Sequence, residues 1–447
     1  MSHAATRIEP ALPETFEAAG QVAALAREVG SGGVVHAGGL WGSSQALLLA
    51  GALTHLERPV LVVTSTEPEA EAFAADLTAL GLDNTYLPAR ETYSSGKARA
   101  HADPASVRAR LQLASHLAGD GAEAPRLVVA SLLSCLQPLP SGQRLGEEFV
   151  HLHVGAKLDA EETVERLVAS GYTRQPLAEA PGELSLRGDI LDLFPFASEE
   201  PLRIELFDDE VESLRLFDPG SQRSTKAMER VSVCLASDAG DVEHGRGRRI
   251  DELLGSGVVQ VEVEPLRVAD TAEGLRIQSS SHGKALIDWN AARDGRGRLE
   301  LAALPGRGCT FGVRSVQGLA VGVREAARAL GEALDRVAGK DAAAPRAIVL
   351  AATDAELARM RQVFCEDERV EPCLGSLGRG FQLEDPPLFV VNHRELVGVE
   401  GTRRAGATSR GAGLYKARAL SSFFELKIGD LVVHAVHGLG RYLGLRR

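Results

Sequence analysis

Short runs that are almost entirely apolar separate longer segments rich in Ala and Leu in residues 1–140. The runs predicted to be buried strands are Gly33–Ala37, Pro59–Thr64 and Arg126–Ala130. The helices predicted between them are Gln45–Leu56 and Pro68–Leu80, the second capped by the hydroxyls of Ser65 and Thr66. Strands that are apolar on both faces and alternate with helices are typical of a parallel sheet covered on both faces. The segment 1–140 is therefore predicted to be a parallel-sheet α/β domain.

Residues 141–235 show a different pattern, in which apolar and polar positions tend to alternate one by one. This period of two predicts short, half-buried strands within Gln143–Leu158 and Gly188–Leu216. The pair Asp208-Asp209 lies between two such runs and predicts the tip of a hairpin. The segment is predicted to be a small α+β domain inserted into the chain.

The next two segments have weaker patterns. Residues 236–337 begin with a Gly-rich, charged loop at Asp238–Arg248 and end with a predicted helix over Gly322–Val337. Residues 338–344 are predicted to be a linker. The elements predicted for a further small α/β domain, residues 345–400, are strand Ala347–Ala351, helix Asp354–Cys365 and strand Leu388–Val391.

The last part of the chain changes composition. Residues 401–422 carry five basic residues and no acid, which predicts a flexible basic linker at 401–425. Two roles stay open for it, a solvated tether or a contact with DNA phosphates or an acidic partner. A strand pattern resumes at Asp430–His434, and roughly 20 residues are too few for a stable β domain. The chain is therefore expected to end inside a domain that starts near residue 426.

Composition and charge limit these assignments. The chain has 447 residues, and one core supports roughly 250–300, so several domains are expected. Its formal net charge of −12 is unlike that of a protein whose whole surface follows nucleic acid. The five cysteines include no C-x-x-C pair, which argues against a zinc ribbon and favours a reducing cytoplasm. No apolar run is long enough to predict a membrane span.

The turn of residues 38–46 stands where a phosphate-binding P-loop would, between a strand and a helix. A working loop has the pattern G-x-x-x-x-G-K-[ST], because the lysine reaches the phosphates and the hydroxyl holds Mg²⁺. The positions of the degenerate loop are Gly39, Gly42, Ser44, Gln45 and Ala46. Ser44, Gln45 and Ala46 replace the second glycine, the lysine and the hydroxyl. We therefore expect no ATP binding at this loop, no cofactor and no catalytic residue.

The most specific pattern lies in the predicted α+β insertion. It is Arg187-Gly188-Asp189-Ile190-Leu191-Asp192-Leu193-Phe194-Pro195, followed by Arg203-Ile204-Glu205-Leu206-Phe207-Asp208-Asp209-Glu210-Val211. This stretch resembles the domain shared by the bacterial transcription-repair coupling factors and the excision-repair protein UvrB. The stretch Leu426–Tyr442 resembles the opening of the RNA-polymerase-interacting domain of the same coupling factors, an SH3-like barrel related to CarD regulators.

Two features separate the chain from UvrB. UvrB has an intact P-loop, and it carries a long Tyr-rich hairpin where this chain has only the short stretch Arg90–Gly96. The resemblance is therefore to the coupling factors. It implies an α/β multidomain fold whose parts are a UvrB-like domain with a degenerate, RecA/UvrB-like P-loop at 1–140, a UvrA-binding domain at 141–235, a second UvrB-like domain at 236–337, a small α/β domain at 345–400 and a truncated SH3-like barrel at 426–447.

The resemblance also implies roles for individual residues. In the family, two arginines and an aromatic residue hold UvrA, and these fall on Arg187, Arg203 and Phe207. From the residues alone, two alternatives stay open: the arginines pair with local acids such as Glu205 or Asp189, or Phe207 belongs to the core. The residues that fall at the start of the region binding the RNA polymerase β subunit are Val433, His434, His437, Gly438, Gly440, Arg441 and Tyr442.

Two polar pairs invite a chemical interpretation that the pattern does not favour. Asp189 and Asp192 are three residues apart on a predicted strand, so they face opposite sides and form no acid–base pair. His434 and His437 have poor spacing for a metal on a strand and turn, and no cysteine lies near them. No metal site is predicted.

Full-length proteins of the resembled family are ATP-driven translocases on double-stranded DNA, which use ATP and Mg²⁺, bind stalled RNA polymerase and recruit UvrA. Their motor lies beyond the polymerase-interacting domain, so this chain is expected to dock partners in nucleotide excision repair without hydrolysing ATP. Two alternatives stay open, a UvrB-like ATP-dependent damage-verification protein and a CarD-like regulator that binds RNA polymerase.

Overall fold

The computed structural model describes residues 21–90, 104–118, 124–140, 149–169, 172–196, 198, 200–234, 247–278, 280–306, 308–319, 322–338, 344–397, 431–434 and 438–441. The chain separates into two compact units, Met1–Glu400 and Gly401–Arg447. The predicted loop at Asp238–Arg248 lies mostly outside the described residues. So do the linker at 338–344, the stretch that follows Arg90, and the basic linker at 401–425.

The described residues form the following elements in chain order. The strands are β1 (Val34–Gly38), β2 (Val60–Thr64), β3 (Thr85–Leu87), β4 (Leu127–Ser131), β5 (Phe149–His153), β6 (Thr173–Arg174), β7 (Glu183–Arg187), β8 (Ile190–Leu193), β9 (Leu202–Phe207), β10 (Glu210–Phe217), β11 (Ser224–Met228), β12 (Arg230–Cys234), β13 (Val259–Val263), β14 (Arg298–Leu301), β15 (Cys309–Thr310), β16 (Val313–Arg314), β17 (Arg346–Ala351), β18 (Val370–Leu374), β19 (Phe381–Leu383), β20 (Leu388–Asn392), β21 (Leu431–His434) and β22 (Gly438–Arg441). The helices are α1 (Gln21–Gly30), α2 (Ser44–Leu53), α3 (Glu67–Ala79), α4 (Pro104–Ala118), α5 (Leu132–Leu136), α6 (Ala160–Ala169), α7 (Ile250–Leu253), α8 (Pro265–Gln278), α9 (Ser280–Arg293), α10 (Val323–Val337), α11 (Asp354–Val363) and α12 (His393–Val397).

A parallel sheet forms the first layer of the large unit. Its order within the described part of the chain is β15-β1-β14-β13-β2-β4-β3, and every strand pair in it is parallel. The three strands predicted in residues 1–140 are confirmed as β1, β2 and β4, and the two predicted helices as α2 and α3. The structure adds that β14 and β13 lie between β1 and β2, so the segments 1–140 and 236–337 contribute strands to one sheet.

Helix α2 is buried on all sides. Every residue from Ser44 to Ala52 is buried, and one apolar core contains Leu47 and Leu49 together with Val261 of the first sheet and Phe381 and Val390 of a second sheet. A helix that is apolar all round has to be covered all round. The two sheets therefore share one core with α2 between them.

The opposite face of the parallel sheet is only partly apolar. Leu61 and Val128 belong to a second core on this face, but β13, β14 and β1 carry Glu262, Glu300 and His36 in one cross-strand row. His36 Nδ1 lies 2.7 Å from the Glu300 carboxylate, and its side chain is half-exposed. The prediction that helices cover both faces is thus wrong at β1, where a polar row replaces an apolar face.

The α+β domain predicted at 141–235 contains a six-stranded sheet of order β11-β10-β9-β8-β7-β6 among the described residues. Helix α6 packs on one face through Val164 and Leu167, in a core with Leu191, Ile204 and Leu214. The predicted hairpin tip is confirmed, since Asp208-Asp209 joins β9 to β10. Strands β5 and β12 pair separately as an antiparallel ribbon.

The second sheet of the large unit is mixed and has the order β16-β19-β20-β17-β18 in the described ranges. Strands β20, β17 and β18 are parallel, whereas β16 and β19 pair antiparallel. The predicted strands at 347–351 and 388–391 and the helix at 354–365 are confirmed as β17, β20 and α11. Helix α10, predicted as the end of segment 236–337, packs on this sheet through Leu330 and Leu334.

One local prediction is wrong. Thr66 is the N-cap residue of α3, but its hydroxyl makes no capping hydrogen bond. The Ser65 hydroxyl donates to the Glu69 carboxylate, and the Thr64 hydroxyl donates to the Thr66 carbonyl. The hydroxyls of Ser65 and Thr64 therefore bind a carboxylate and a carbonyl, and the Thr66 hydroxyl does not cap the helix.

In the smaller unit, β21 and β22 form an antiparallel pair with Val433 opposite Leu439. None of the helices formed by the described residues is both long and apolar enough to cross a membrane.

The placement of β14 in the centre of the parallel sheet can be tested by truncation. Leu299 is fully buried in β14, whereas Leu304, just beyond that strand, is 67% exposed. We expect Leu299→Ala to lower the free energy of unfolding by about 2–5 kcal/mol through lost burial and a cavity, and Leu304→Ala by less than about 0.5 kcal/mol. Urea denaturation followed by the fluorescence of Trp289, which is buried in the second core of the same sheet, measures both. Equal losses for the two variants would show that β14 is not a core strand.

Candidate functional site

The degenerate P-loop joins β1 to α2 by a tight glycine turn. Gly39 and Gly42 have positive φ angles of 74° and 59°, which favour glycine. Gln45, at the position of the missing lysine, is buried and donates to the Leu40 carbonyl at 3.2 Å and to the Glu264 carboxylate at 2.6 Å. The side chain thus fastens the turn to the end of β13 instead of facing a ligand.

Backbone from the mixed sheet lies directly against this turn. A Cβ placed on Gly42 would lie 2.8 Å from the carbonyl oxygen of Gly380 and 2.9 Å from that of Arg379. The Ser43 amide donates to the Arg379 carbonyl at 3.1 Å, and the Ser43 hydroxyl accepts from the Arg379 amide at 3.0 Å. Hydrogen-bonding groups of the turn are therefore occupied by the segment Ser376–Gly380 of this chain.

Two carboxylates complete this contact between the sheets. Asp76 of α3 accepts from the Ser43 hydroxyl at 2.7 Å and from the Gly378 amide at 2.6 Å. Glu395 of α12 accepts from the Gly380 amide at 2.8 Å. Loop amides commonly bind anions, and here Asp76 and Glu395 are the anions.

The second candidate region is the face of the six-stranded sheet that points away from its apolar core. We call it the outer face. The open end of this face is the end with the hairpin turns that follow β7 and β9. Residues of the face toward this end include Arg187, Ile190, Asp192, Arg203, Glu205, Phe207 and Arg215. The inward positions of β9 are Leu202, Ile204 and Leu206, which are buried, so the residues between them lie on the outer face.

Strand register places three charged residues of the outer face in one row. Ser185, Asp192, Arg203 and Arg215 are consecutive cross-strand partners on β7, β8, β9 and β10. Arg203 and Arg215 are therefore directly opposite like charges, which destabilise a sheet unless they are compensated. Asp192 compensates Arg203, and Glu205 lies 3.7 Å from Arg215.

Arg203 is held on three sides. Its Nε and Nη2 donate to Asp192 at 2.7 and 2.9 Å, and its Nη1 donates to the Gln222 carbonyl at 3.2 Å. Its guanidinium lies over the Phe217 ring at 4.7 Å from the centroid, and its side chain is 13% exposed. The hydrogen bond to Asp192 is the main reason why the pKa of Arg203 is raised above its ordinary value.

Arg187 and Phe207 are the accessible members of the predicted trio. Arg187 donates from Nη2 to Asp192 at 2.7 Å and is 47% exposed. Phe207 is 76% exposed at the end of β9, so the alternative that it belongs to the core is wrong. Both residues lie just before two-residue hairpin turns at the same end of the sheet.

The alternative that the arginines pair with local acids is confirmed, but the acid is Asp192 rather than Glu205 or Asp189. Both bind Asp192, which is fully buried, whereas Glu205 accepts from the Ser213 hydroxyl. Asp189 is exposed and lies in the turn between β7 and β8, not on a strand. Asp192 was not predicted from the sequence as the residue that joins the arginines. The alternation that places Leu191 and Leu193 in the core was a signal that Asp192 lies on the other face.

The residues predicted at the polymerase-binding region are partly described. Val433 and His434 are in β21, and Gly438, Gly440 and Arg441 are in β22. His437 and Tyr442 lie outside the described residues. Within the described ranges, no group of three or more His, Cys, Asp or Glu side chains is arranged to hold a metal ion.

Comparison with known proteins adds family information to this geometry. Residues 150–238, which include the six-stranded sheet, match the family model of the UvrB interaction domain. Residues 426–447 match the model of the CarD-like/TRCF RID domain.

Whole-protein comparison finds transcription-repair-coupling factors among the similar proteins. The chain is 33% identical over 202 residues to the transcription-repair-coupling factor of Bacillus subtilis, covering 45% of this chain and 17% of that protein. It is 35% identical over 221 residues to that of Myxococcus xanthus (47% and 18%) and 24% identical over 380 residues to that of a Staphylococcus aureus strain (66% and 32%). The aligned part is thus about a third or less of each relative's length. These matches show that the chain is homologous to the N-terminal region of the transcription-repair coupling factors, with a UvrB interaction domain and the start of a CarD-like RID domain.

Proposed function

We propose that this chain is a docking platform that recruits UvrA to RNA polymerase stalled at DNA damage, in bacterial nucleotide excision repair. The observation that carries the proposal is the outer face, where Phe207 and Arg187 are both exposed at the same end of the sheet. This face belongs to the segment that matches the UvrB interaction domain. The match of this segment to the UvrB interaction domain, together with the exposure of both side chains, supports a partner surface on this face.

The chemistry of the outer face suits a protein partner. Aromatic residues and arginine are enriched among residues that dominate binding energy, because they combine apolar area with directed hydrogen bonds. Three arginines of this face, Arg187, Arg203 and Arg215, lie near the acids Asp192 and Glu205, in a chain whose net charge is −12. UvrA would therefore present an apolar pocket for Phe207 and an acceptor for Arg187.

A second partner, the β subunit of RNA polymerase, is proposed for residues 426–447. The support is the match of these residues to the CarD-like/TRCF RID domain and the antiparallel pairing of β21 with β22. The residues proposed to begin this contact are Val433, His434, His437, Gly438, Gly440, Arg441 and Tyr442. A role as a CarD-like regulator alone is less well supported, since it leaves the outer face without a partner.

We propose that the chain itself does not bind or hydrolyse ATP. Gln45 and Ala46 replace the lysine and the hydroxyl, Gln45 is engaged by Glu264, and Ser376–Gly380 lies on the turn. These contacts disfavour the alternative of a UvrB-like ATP-dependent damage-verification protein. ATP-driven translocation on double-stranded DNA, with Mg²⁺, is proposed only for full-length coupling factors. This chain is homologous to one part of such a protein.

Calorimetric titration of UvrA into the purified chain tests the docking proposal. We expect saturable binding that Phe207→Ala weakens by about 2 kcal/mol or more, because the ring is the largest apolar group offered by the outer face. Arg203→Ala is expected to weaken binding by a similar ~2 kcal/mol, since it disorganises the charged row. Val168→Ala is the control, because Val168 lies in α6 of the same domain and is 48% exposed. A well-folded chain that binds no UvrA would refute the proposal, and equal losses for Phe207→Ala and Val168→Ala would place the contact elsewhere.

The ATP proposal can be tested by restoring the motif. The triple variant Ser44→Gly, Gln45→Lys, Ala46→Thr recreates G-x-x-x-x-G-K-T from Gly39. We expect no rise in melting temperature with Mg-ATP for either the original chain or this variant, because Arg379 and Gly380 occupy the space over the turn. Thermal melting with and without Mg-ATP measures this. A nucleotide-dependent rise in the original chain would overturn the proposal, and a rise in the variant alone would show that the side chains, not the segment, exclude ATP.

A further inference from the structure

A single buried acid organises the outer face. Asp192 is fully buried, yet it lies on the face that points away from the apolar core. Its two carboxylate oxygens accept hydrogen bonds from Arg187 Nη2 and from Arg203 Nε and Nη2, all at 2.7–2.9 Å. A buried carboxylate needs such partners, since leaving it unpaired costs several kcal/mol.

The two arginines use Asp192 differently. Arg203 donates hydrogen bonds from Nε, Nη1 and Nη2 to acceptors within the chain, and its side chain is 13% exposed. Little of its guanidinium is therefore available to a partner. Arg187 gives one bond to Asp192 and is 47% exposed. No other group in the described part of the chain accepts from Arg187, which has five N–H donors in a fixed plane.

Asp192 also lies at the boundary between two parts of the outer face, one covered by other residues of the domain and one open to solvent. On the covered side, the Ser185 hydroxyl donates to the Pro176 carbonyl, and Phe217 packs with Ala178 and Phe194. On the open side are Arg187 and Phe207. The carboxylate thus joins the open side to a packed part of the sheet.

We propose that Asp192 is the positioning residue of the docking face: with Arg203 as its second clamp, it holds the Arg187 guanidinium with its unused donors turned toward the partner. The inference rests on the proposed docking of UvrA. It predicts that Arg203 acts on binding through Asp192 and Arg187, and that the partner offers a carboxylate to Arg187. Arginine presents bidentate donors to a carboxylate only when its plane is held correctly.

The test is a double-mutant cycle on UvrA affinity with the intact chain. Asp192→Asn keeps the shape of the side chain but removes its charge and one acceptor oxygen. We expect it to raise the Kd for UvrA about 10- to 100-fold, or about 1.4–2.8 kcal/mol of binding free energy, because the Arg187 guanidinium is no longer held in place. In the Arg187→Ala background the same change is expected to raise the Kd less than about 3-fold, because the residue it positions is gone. Phe207→Ala is expected to raise the Kd for UvrA by the same factor with and without Asp192→Asn, because Asp192 does not position the ring.

A second buried aspartate separates positioning from general loss of stability. Asp251 is also fully buried and accepts from Arg249 and Arg296, but it lies in α7, outside the six-stranded sheet. We expect Asp251→Asn to lower the melting temperature without changing the Kd for UvrA. If Asp192→Asn gives no cooperative melt, Arg203→Lys replaces it in the cycle, since lysine is a point donor and cannot keep both Asp192 bonds.

The outcomes distinguish the two proposals. If the original chain binds no UvrA, the proposed function fails and the positioning role falls with it. If the chain binds but Asp192→Asn, or Arg203→Lys in its place, binds equally well, only the positioning role is wrong. Full additivity with Arg187→Ala, or an equal rise in Kd for Asp251→Asn, would likewise overturn it.

Discussion

The large unit is organised by one constraint, which is that α2 has no polar face. Ser44 to Ala52 are all buried, so the helix cannot lie on the surface of a single sheet. Residues of the parallel sheet, of the mixed sheet and of helices α1 and α3 form a single apolar core with it. Once the two sheets are held in this way, the turn before α2 faces the segment Ser376–Gly380. Its polar groups have to be satisfied by that segment, because buried amides and hydroxyls without partners are costly. The absence of the P-loop lysine thus agrees with the packing, because the segment Ser376–Gly380 lies where a nucleotide would lie against the turn.

Buried aspartates perform the same task at three places in the chain. Asp76 joins α3 to the turn before α2 and to Gly378, Asp192 joins β7 to β9, and Asp251 joins Arg249 to Arg296. Each accepts from two groups that are separate along the chain. A carboxylate in such a position has exacting geometry, because its desolvation is balanced only when both partners are in place. These contacts therefore specify the relative position of their elements more sharply than apolar packing does.

The sequence allowed β1, β2, β4, α2 and α3 to be predicted because their apolar patterns are continuous. It did not allow β13 and β14 to be assigned to the same sheet, since Gln260, Glu262 and Glu300 interrupt their apolar runs and make them look half-exposed. For the candidate site, the positions of Arg187, Arg203 and Phe207 came from the family resemblance. The alternation of Leu202, Ile204 and Leu206 carries a signal for the face on which Phe207 lies, but the prediction left open that Phe207 belongs to the core. The Asp192–Arg203 pairing depends on the register of two strands, for which a single sequence offers no local signal.

The strand order has a consequence for how the molecule is assembled. Strands β1 and β2 are close in sequence but are separated in the sheet by β14 and β13, which follow more than 190 residues after β2. During synthesis from the N-terminus, the strands of the six-stranded sheet are complete before either central strand has been made. The inserted domain has mostly local hairpin pairings, which close quickly, whereas the host sheet depends on contacts of long sequence separation, which close slowly. The surface with Arg187 and Phe207 therefore belongs to a module whose strands can pair with one another before β1 and β2 have their central partners in the chain.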